Sequence, residues 1–422
     1  MTALQTPVAD GRAGLPMPAR QAALVFASFA FAYFFSALVR AITATLAPTF
    51  SAELALSAGD LGLLAGAYFL GFAAVQLPLG QALDRHGPRK VLLALTSLAV
   101  LGCAAFALAE AFAALAVARG LIGVGLGACL MAPLTAFRRS FTPEAQLRAN
   151  SWMLTSGSLG MVASTLPMQW LLPVLGWRGL FWLIAAMLAL ALLAIAWIVP
   201  RDAPSPDMAP TSAGGYAEVW RHPAFLRFAP LAFFQYGGMI AIQTLWAGPW
   251  LVRVCGWSAE AAAAGLFAIN LSMLFAFLAW GTVVPQLYRS GWTAVRLVRW
   301  GVPVSLALLA LALVLGDRAT AWAWALFCVS CTVLSLSQPA VGQAFPAAQA
   351  GRALSAYNLV IFAGIFALQW GLGLLIDAVT RAGGSTLSAF RAAFALFGLC
   401  CLLSYLWFLR HGEPPARCAQ GR

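Results

Sequence analysis

This chain has little charge. Asp, Glu, Lys and Arg together make up 9% of its 422 residues, and only 13 of those residues are acidic. Hydrophobic residues make up 62%, and the mean hydropathy is +0.86. A soluble domain could neither bury this much apolar surface nor cover it with so few charges. The composition therefore excludes a soluble globular protein and predicts an integral membrane protein.

Side chains that commonly perform catalysis are also scarce. The three His residues, His86, His222 and His411, fall in polar segments where no nucleophile or metal-binding cluster joins them. Neither an enzyme nor a cofactor is therefore expected.

The eight cysteines lie mostly within apolar stretches, which argues against a disulfide framework. Cys328 and Cys331 would share one helix face, and paired thiolates suit Cu(I). No His or Met stands beside them to complete a site. Metal-ion transport is therefore only a remote alternative, and no metal site is predicted.

Long apolar stretches dominate the sequence. Crossing a hydrocarbon core of roughly 30 Å takes about 20 helical residues. Twelve such stretches are present, at 22-46, 58-80, 88-109, 112-134, 150-172, 178-199, 228-251, 260-283, 294-315, 319-341, 352-377 and 388-409. Because they are continuously apolar, helices are favoured over barrel strands. The sequence predicts an all-α membrane protein with twelve transmembrane helices.

The few charges fix an orientation in the bilayer. Acidic residues fall almost entirely between the stretches, as the cost of a charge at mid-bilayer requires. With the amino terminus inside, 18 Lys and Arg lie in cytoplasmic segments and five in outer loops. The positive-inside rule then puts both termini in the cytoplasm. The net charge of +12 belongs to this asymmetry, so no nucleic-acid partner is predicted.

The two halves of the chain resemble each other. The longest gap, 200-227, is rich in Pro, Gly, Ser and charge, which is typical of a linker. It separates a bundle of six predicted helices at 1-199 from another at 228-422. The dipeptide Gln169-Trp170 occurs again about 200 residues later as Gln369-Trp370. Other pairs of similar segments have the same offset. A parallel repeat with pseudo-twofold symmetry is therefore predicted.

Three motifs carry a family resemblance. The loop Gly80-x-x-x-Asp84-Arg85-x-Gly87-x-Arg89-Lys90 resembles the signature loop of the major facilitator superfamily of secondary transporters. The segment Arg119-Gly-Leu-Ile-Gly123-Val-Gly125-Leu-Gly127 is similar to the fourth-helix motif of that superfamily, and Gly176-Trp177-Arg178-x-x-Phe181 to its entry to helix six. Pro88 departs from the signature at a usually basic position. The resemblance covers essentially the whole chain and implies a permease that works by alternating access.

The resemblance gives the signature loop a gating role. In the superfamily, contacts of this loop bridge the two halves on one side and stabilise the outward-open state. Glycine permits close helix approach and a tight turn, and Asp84 could cap a neighbouring helix. A plain positive-inside anchor would explain the cations but not Asp84 or the glycine spacing. The predicted gate comprises Gly80, Asp84, Arg85, Gly87, Arg89 and Lys90.

Two charges fall inside the predicted spans, Arg40 in the first and Arg119 in the fourth. Helical rise puts both roughly 10 to 12 Å below the outer surface. The resemblance places helices 1, 4, 7 and 10 around a central cavity, where both arginines could bind a substrate. Arginine suits carboxylate or phosphate, and no mid-membrane acid neutralises either residue. A small anionic or polar metabolite is the predicted substrate. Structural roles for both arginines stay open.

Further polar side chains lie at depths suited to substrate contact, although most such groups serve helix packing. The candidates are Tyr33, Ser36, Gln235, Tyr236, Gln243, Trp246, Asn270 and Asn358, followed by Ser330, Ser335 and Tyr357.

Other functions remain open. Proton-driven efflux of a drug or amphiphile is the main alternative, although exporters of the superfamily typically carry a glycine-rich stretch ending in Gly-Pro in the fifth helix. This chain has Gly157-Ser-Leu-Gly160 there and then only Pro167. A transporter-like sensor is a remote alternative, because the tails and the linker are too short for an added domain.

The energy source is also open. The acids nearest the membrane, Asp60, Glu110 and Asp377, all lie near outer helix ends. Proton coupling could use a protonated substrate or one of these acids, or be absent. Carriers of the superfamily usually act as monomers, so a monomer in the lipid bilayer is expected. One Lys against 24 Arg is typical of a GC-rich bacterial gene, which predicts the bacterial inner membrane.

Overall fold

The computed structural model describes residues 17–201 and 216–411, and this part of the chain folds into helices without a strand. The helices are α1 (Ala19–Glu53), α2 (Ala58–His86), α3 (Pro88–Leu108), α4 (Phe112–Ser140), α5 (Pro143–Ala163), α6 (Leu166–Ile198), α7 (Tyr216–Arg221), α8 (Pro223–Val254), α9 (Ala259–Arg289), α10 (Ala294–Leu315), α11 (Ala321–Gln343), α12 (Ala347–Arg381) and α13 (Thr386–Arg410). The prediction of an all-α membrane protein is confirmed.

Within these residues, ten helices are long and apolar enough to cross a membrane, or eleven if α2, bent by 45°, counts as one span. The fifth predicted stretch, 150-172, is divided between α5 and α6. α6 also contains nearly all of the sixth stretch. The fifth and sixth stretches meet within α6 near Gly176, whose φ of 63° and ψ of 169° are not helical. The count of twelve spans and the cytoplasmic position of the termini stay predictions.

The linker predicted at 200-227 is described only at its ends, because residues 202–215 lie outside the described part, as do 1–16 and 412–422. Its short helix α7 contacts both halves. The Tyr216 hydroxyl donates to the Leu77 carbonyl at 3.1 Å, and the Gln349 amide donates to Glu218 at 3.1 Å. Burial raises the pKa of the Tyr216 phenol, so this hydroxyl stays protonated and able to donate at neutral pH.

The backbone repeats where the sequence does. Six of the seven described residues with positive φ form pairs about 200 residues apart, at breaks between corresponding helical segments, and Gly316 (φ 61°) has no counterpart. The pairs are Ala55 (φ 50°) with Gly256 (φ 70°), Gly87 (φ 83°) with Gly291 (φ 83°), and Gly176 (φ 63°) with Gly383 (φ 88°). Five of the six paired residues are glycines, which adopt this conformation without steric cost. The middle pair lies in the signature loop and in the loop that follows α9.

The two halves meet along α2 and α12, where glycines allow the backbones to touch. A methyl group added at Gly62 would lie 2.3 Å from the Gln369 carbonyl oxygen. α1 and α8 approach similarly, since a methyl group at Gly248 would lie 2.5 Å from the Ala44 carbonyl oxygen. Both contacts lie toward the predicted outer side. The halves are therefore closely packed there.

Candidate functional site

Arg40 on α1 lies beside residues of both halves. Its guanidinium carbon is 5.5 Å from the centre of the Phe72 ring, and that ring centre is 4.3 Å from the Phe362 ring on α12. Arg40 is half-buried, and its Nε is buried without a hydrogen-bond partner. No carboxylate among the described residues forms an ion pair with it. Arg40 is thus an interior cation that lacks a charged partner in this part of the chain.

Three phenols lie within electrostatic range of Arg40: Tyr33 on α1, Tyr68 on α2 and Tyr236 on α8. The Tyr68 hydroxyl donates to the Ser36 carbonyl of α1 at 3.4 Å. The Tyr33 ring has room because Gly157 on α5 lacks a side chain, where a methyl group would lie 2.4 Å from the ring. Hydroxyl donors beside a guanidinium form an arrangement that can bind an anion.

Arg119 on α4 lies inside the amino-terminal half and is 1% exposed. It donates to the Val39 carbonyl at 3.1 Å and to the Thr43 hydroxyl. Its guanidinium carbon also lies 5.5 Å from the centre of the Tyr68 ring and within 6.0 Å of two phenylalanine rings. Such cation–π contacts stabilise a buried guanidinium. Tyr68 therefore separates the two arginines, with its ring at Arg119 and its hydroxyl at Arg40.

The glycines that follow Arg119 let α4 pack closely on its neighbours. A methyl group at Gly123 would lie 1.9 Å from the Tyr68 carbonyl oxygen, and one at Gly125 would lie 2.3 Å from the Ala99 backbone nitrogen. These contacts hold α4 against α2 and α3. The fourth-helix motif thus fixes where Arg119 meets Tyr68.

α8 departs repeatedly from α-helical hydrogen bonding. It contains the π-helical turns Ala232–Tyr236, Ile242–Trp246 and Trp250–Val254. Single π-helical turns within α-helices frequently occur at functional sites. The first two turns contain all four site candidates of this helix: Gln235, Tyr236, Gln243 and Trp246.

Most other polar candidates form hydrogen bonds within the carboxy-terminal half. The Gln243 amide donates to Asn270 at 2.9 Å, and the Gln338 amide donates to Asn358 at 2.5 Å. Gln235 donates to a serine hydroxyl on α10. Ser330 and Tyr357 also bond within this half, while Ser335 is half-buried on α11. Among the uncharged polar candidates, the buried atoms without a hydrogen-bond partner are Gln235 Oε1, Trp246 Nε1 and Ser36 Oγ.

Charged residues of the signature loop contact their own half. An Asp84 carboxylate oxygen lies 3.9 Å from the Arg139 guanidinium, and both side chains are partly exposed. Arg89 donates to the Ala196 carbonyl at 2.5 Å.

The rest of the loop forms its turn and faces the other half. Gly87 has a φ of 83° between α2 and α3, and Arg85 and Lys90 are exposed beside it. A methyl group at Gly80 would lie 4.0 Å from the Ser355 hydroxyl of α12, so these helices approach less closely here than on the predicted outer side.

Sequence analysis missed Tyr68, Phe72 and Phe362, which complete the surroundings of Arg40. Tyr68 offered a signal, because it is a phenol inside a predicted span. The two phenylalanines offered none, since this chain contains 28 Phe and most serve apolar packing.

Comparison with known sequences matches most of the chain to a protein family and part of it to individual proteins. The family model "Major Facilitator Superfamily" matches residues 29–368. A gallate transporter of Pseudomonas putida is 32% identical over 168 residues, which are 39% of this chain and 36% of that protein. The multidrug transporter mfsC of Aspergillus fumigatus is 28% identical over 162 residues, 38% of this chain and 31% of that protein. The chain thus matches only about a third of the length of these relatives.

A solved structure extends the agreement in fold to nearly the whole chain. The bacterial homologue of the human lysosomal transporter Spinster, in an inward-facing and unoccupied conformation, matches with a TM-score of 0.74 and 17% identity. The match covers 94% of this chain and 100% of that structure. At this identity the match shows the fold alone. With the family model it establishes that the chain belongs to the Major Facilitator Superfamily and is a multi-pass membrane transporter, not an enzyme.

Proposed function

We propose that this protein carries a small organic anion across the membrane by alternating access, and that Arg40 binds the anion. The observation that carries the proposal is the position of Arg40, in the bundle interior, beside both halves and without an acidic partner among the described residues. A desolvated charge without a partner is costly, and a bound anion offsets that cost. The guanidinium pairs with a carboxylate through two parallel hydrogen bonds.

Arg119 has a positioning role in this proposal. Its contacts with Val39, Thr43 and Tyr68 lie within one half, so it does not need to move when the halves separate. By holding the ring of Tyr68 it orients the hydroxyl that interacts with Arg40.

The two relatives favour different substrates. The gallate transporter is named for a carboxylate, which agrees with the proposal. The multidrug transporter supports the alternative, efflux of a drug or amphiphile. Arg40 favours the anion, because a guanidinium without an acidic partner would repel a cationic amphiphile.

During transport the bundles at 1-199 and 228-422 would alternately expose Arg40 to the two sides of a bacterial inner membrane. Opening the predicted outer side would separate α2 from α12 and α1 from α8, which touch through Gly62 and Gly248 in this structure. Any coupled proton would enter with the substrate or through an acid at a helix end. The proposed transporting unit is the monomer.

Uptake into proteoliposomes tests the proposal. Size-matched organic anions, cations and neutral solutes are compared, and we expect anions alone to be concentrated or exchanged. Arg40→Gln should reduce transport at least about tenfold, while Arg40→Lys keeps part of it because the charge remains. Arg20→Gln, at an exposed arginine on the same helix, is the matched control and should transport normally. Transport of cations or lipophilic drugs without anions would overturn the proposal.

A further inference from the structure

We infer that the anion bound at Arg40 contains an aromatic ring. This inference rests on the proposed function and specifies its substrate class. A carboxylate needs only the guanidinium and neighbouring hydroxyls. The Phe72 ring also lies beside this group and packs on Phe362 of the other half, an arrangement that anion binding alone does not require.

The ring beside the guanidinium packs on a ring of the other half. Phe72 of α2 lies 5.5 Å from the guanidinium carbon, and Phe362 of α12 lies 4.3 Å from Phe72, centre to centre, at an interplanar angle of 41°. Phe362 also stacks against Phe69 at 6.3 Å and 18°. Phe362 and Arg40 are both half-buried, so neither is enclosed by packing.

Phenols extend this surface. Tyr33 of α1 and Tyr236 of α8, from opposite halves, lie within electrostatic range of each other and of Arg40. Tyr236 is half-buried, and it lies in a π-helical turn. A planar substrate can therefore contact ring surface from both halves while its carboxylate pairs with the arginine.

The same surroundings disfavour a sugar acid. Each hydroxyl of a bound sugar needs a hydrogen-bond partner in exchange for water. The amides of Gln243, Asn270 and Asn358 already bond within the carboxy-terminal half. Among the uncharged polar candidates, the buried atoms without a partner are Gln235 Oε1, Trp246 Nε1 and Ser36 Oγ, which are fewer than the hydroxyls of a sugar acid. Rings offer such hydroxyls no partner, whereas they stack on an aromatic substrate in offset or edge-to-face geometry.

The assigned arrangement places the carboxylate at Arg40, where the Tyr33 hydroxyl can donate to it, while the buried Tyr68 hydroxyl donates to the Ser36 carbonyl. The ring contacts Phe72, Phe362 and Tyr236. Because these rings belong to both halves, binding depends on how the halves are placed, as alternating access requires.

The test compares benzoate with cyclohexanecarboxylate, which has the same charge and carbon number but no aromatic face. We expect benzoate to bind about two- to tenfold more tightly, measured by competition for uptake and by thermal stabilisation of the purified protein. Phe72→Leu and Phe362→Leu should each bring the affinity ratio toward one. Phe275→Leu is the matched control, because Phe275 is 61% exposed on α9, and this variant should keep the wild-type affinity ratio.

The outcomes separate this inference from the proposed function. Equal affinity for the two carboxylates, or tighter binding of glucuronate than of benzoate, would overturn the aromatic inference and leave an anion carrier. If no anion bound, both would fail. If a Phe72 or Phe362 variant does not fold, the ratio of benzoate affinity to cyclohexanecarboxylate affinity in the wild-type protein decides the test.

Discussion

The carboxylate of Asp377, near the end of α12, caps the first turn of α2 at Gly59. Its Oδ2 accepts from the Gly59 backbone N–H at 2.7 Å, and its Oδ1 accepts from the Ala58 N–H at 2.9 Å. The first N–H groups of a helix have no partner within that helix and favour a negative charge. Ser57 caps α2 from within the same half. Asp377 therefore joins the two halves by hydrogen bonds on the predicted outer side. These bonds must break when α2 and α12 separate.

Removing the charge of Asp377 should favour opening of that side. Asp377→Asn keeps one acceptor but loses the charge-assisted bonds, which should shift the populations by about 1 to 2 kcal/mol. Spin labels at Ala111→Cys and Ala382→Cys, exposed positions at the predicted outer ends of the two halves, should show a larger fraction of long distances.

Asp60→Asn is the control for this experiment, because Asp60 bonds only to Ser57 within α2. It should leave the distance distribution unchanged. An unchanged distribution in Asp377→Asn as well would show that this bond does not hold the halves together.

Substitution by Gln should have different effects at Arg40 and at Arg119, lowering anion binding at the first and stability at the second. Arg119→Gln removes the donor to the Val39 carbonyl and to the buried Thr43 hydroxyl and should cost about 1 to 3 kcal/mol of stability. Arg40→Gln should keep the melting temperature and lose anion binding. Thermal unfolding followed by tryptophan fluorescence, alongside a binding assay, distinguishes them. Full stability of Arg119→Gln with lost binding would transfer the anion role to Arg119.

Because α4 packs closely on its neighbours, its glycines should differ in how well they tolerate a side chain. Gly123→Ala places a methyl group 1.9 Å from the Tyr68 carbonyl oxygen, and the resulting helix shift should cost about 1 to 3 kcal/mol. Gly120→Ala is matched in chemistry and helix, but its nearest neighbour would be 3.7 Å away. The melting temperature should fall for the first variant and hold for the second. Equal effects would contradict the packing of α4 on α2.

Asp84 should affect turnover more than stability. Its pairing with Arg139 at 3.9 Å is partly exposed, and such pairs contribute about 0 to 1 kcal/mol. The gating role implied by the signature loop predicts that Asp84→Asn lowers kcat for exchange and leaves KM nearly constant. Steady-state exchange in proteoliposomes measures both. Glu144→Gln, at an exposed acid on α5, should change neither, and a pure KM effect in Asp84→Asn would contradict the role.

The thiol of Cys255 should react slowly with maleimides. It lies between α8 and α9, its sulfur is 3.6 Å from the Ala319 carbonyl, and burial raises its pKa to about 11. At pH 7 its thiolate is therefore about a hundredfold scarcer than that of an ordinary cysteine. The labelling rate, followed by mass spectrometry, should rise about tenfold per pH unit up to pH 10. A rate at pH 7 equal to that of exposed Ala382→Cys would contradict this burial.

Motifs predicted local features more reliably than contacts. Gly87 adopts the positive φ that its place in the signature loop requires, because a turn is decided by neighbours in the chain. The partner of Asp84 was not predictable, since Arg139 reaches it only through the packing of α4 against α2. In the sequence, Asp377 is one of three acids near outer helix ends. Only the structure shows that it accepts a hydrogen bond from Gly59 of the other half.

The sequence by itself determined that this is a helical membrane transporter with an internal repeat and two arginines in its spans, because hydropathy and motif spacing act along the chain. Only the tertiary structure decided what those arginines contact. Helix rotation and inter-helix packing place Arg119 against Val39 and Thr43, and place Arg40 beside the Phe72 ring of α2, which packs on Phe362 of α12. Such contacts depend on which helix faces meet, and residues far apart in the chain decide that jointly.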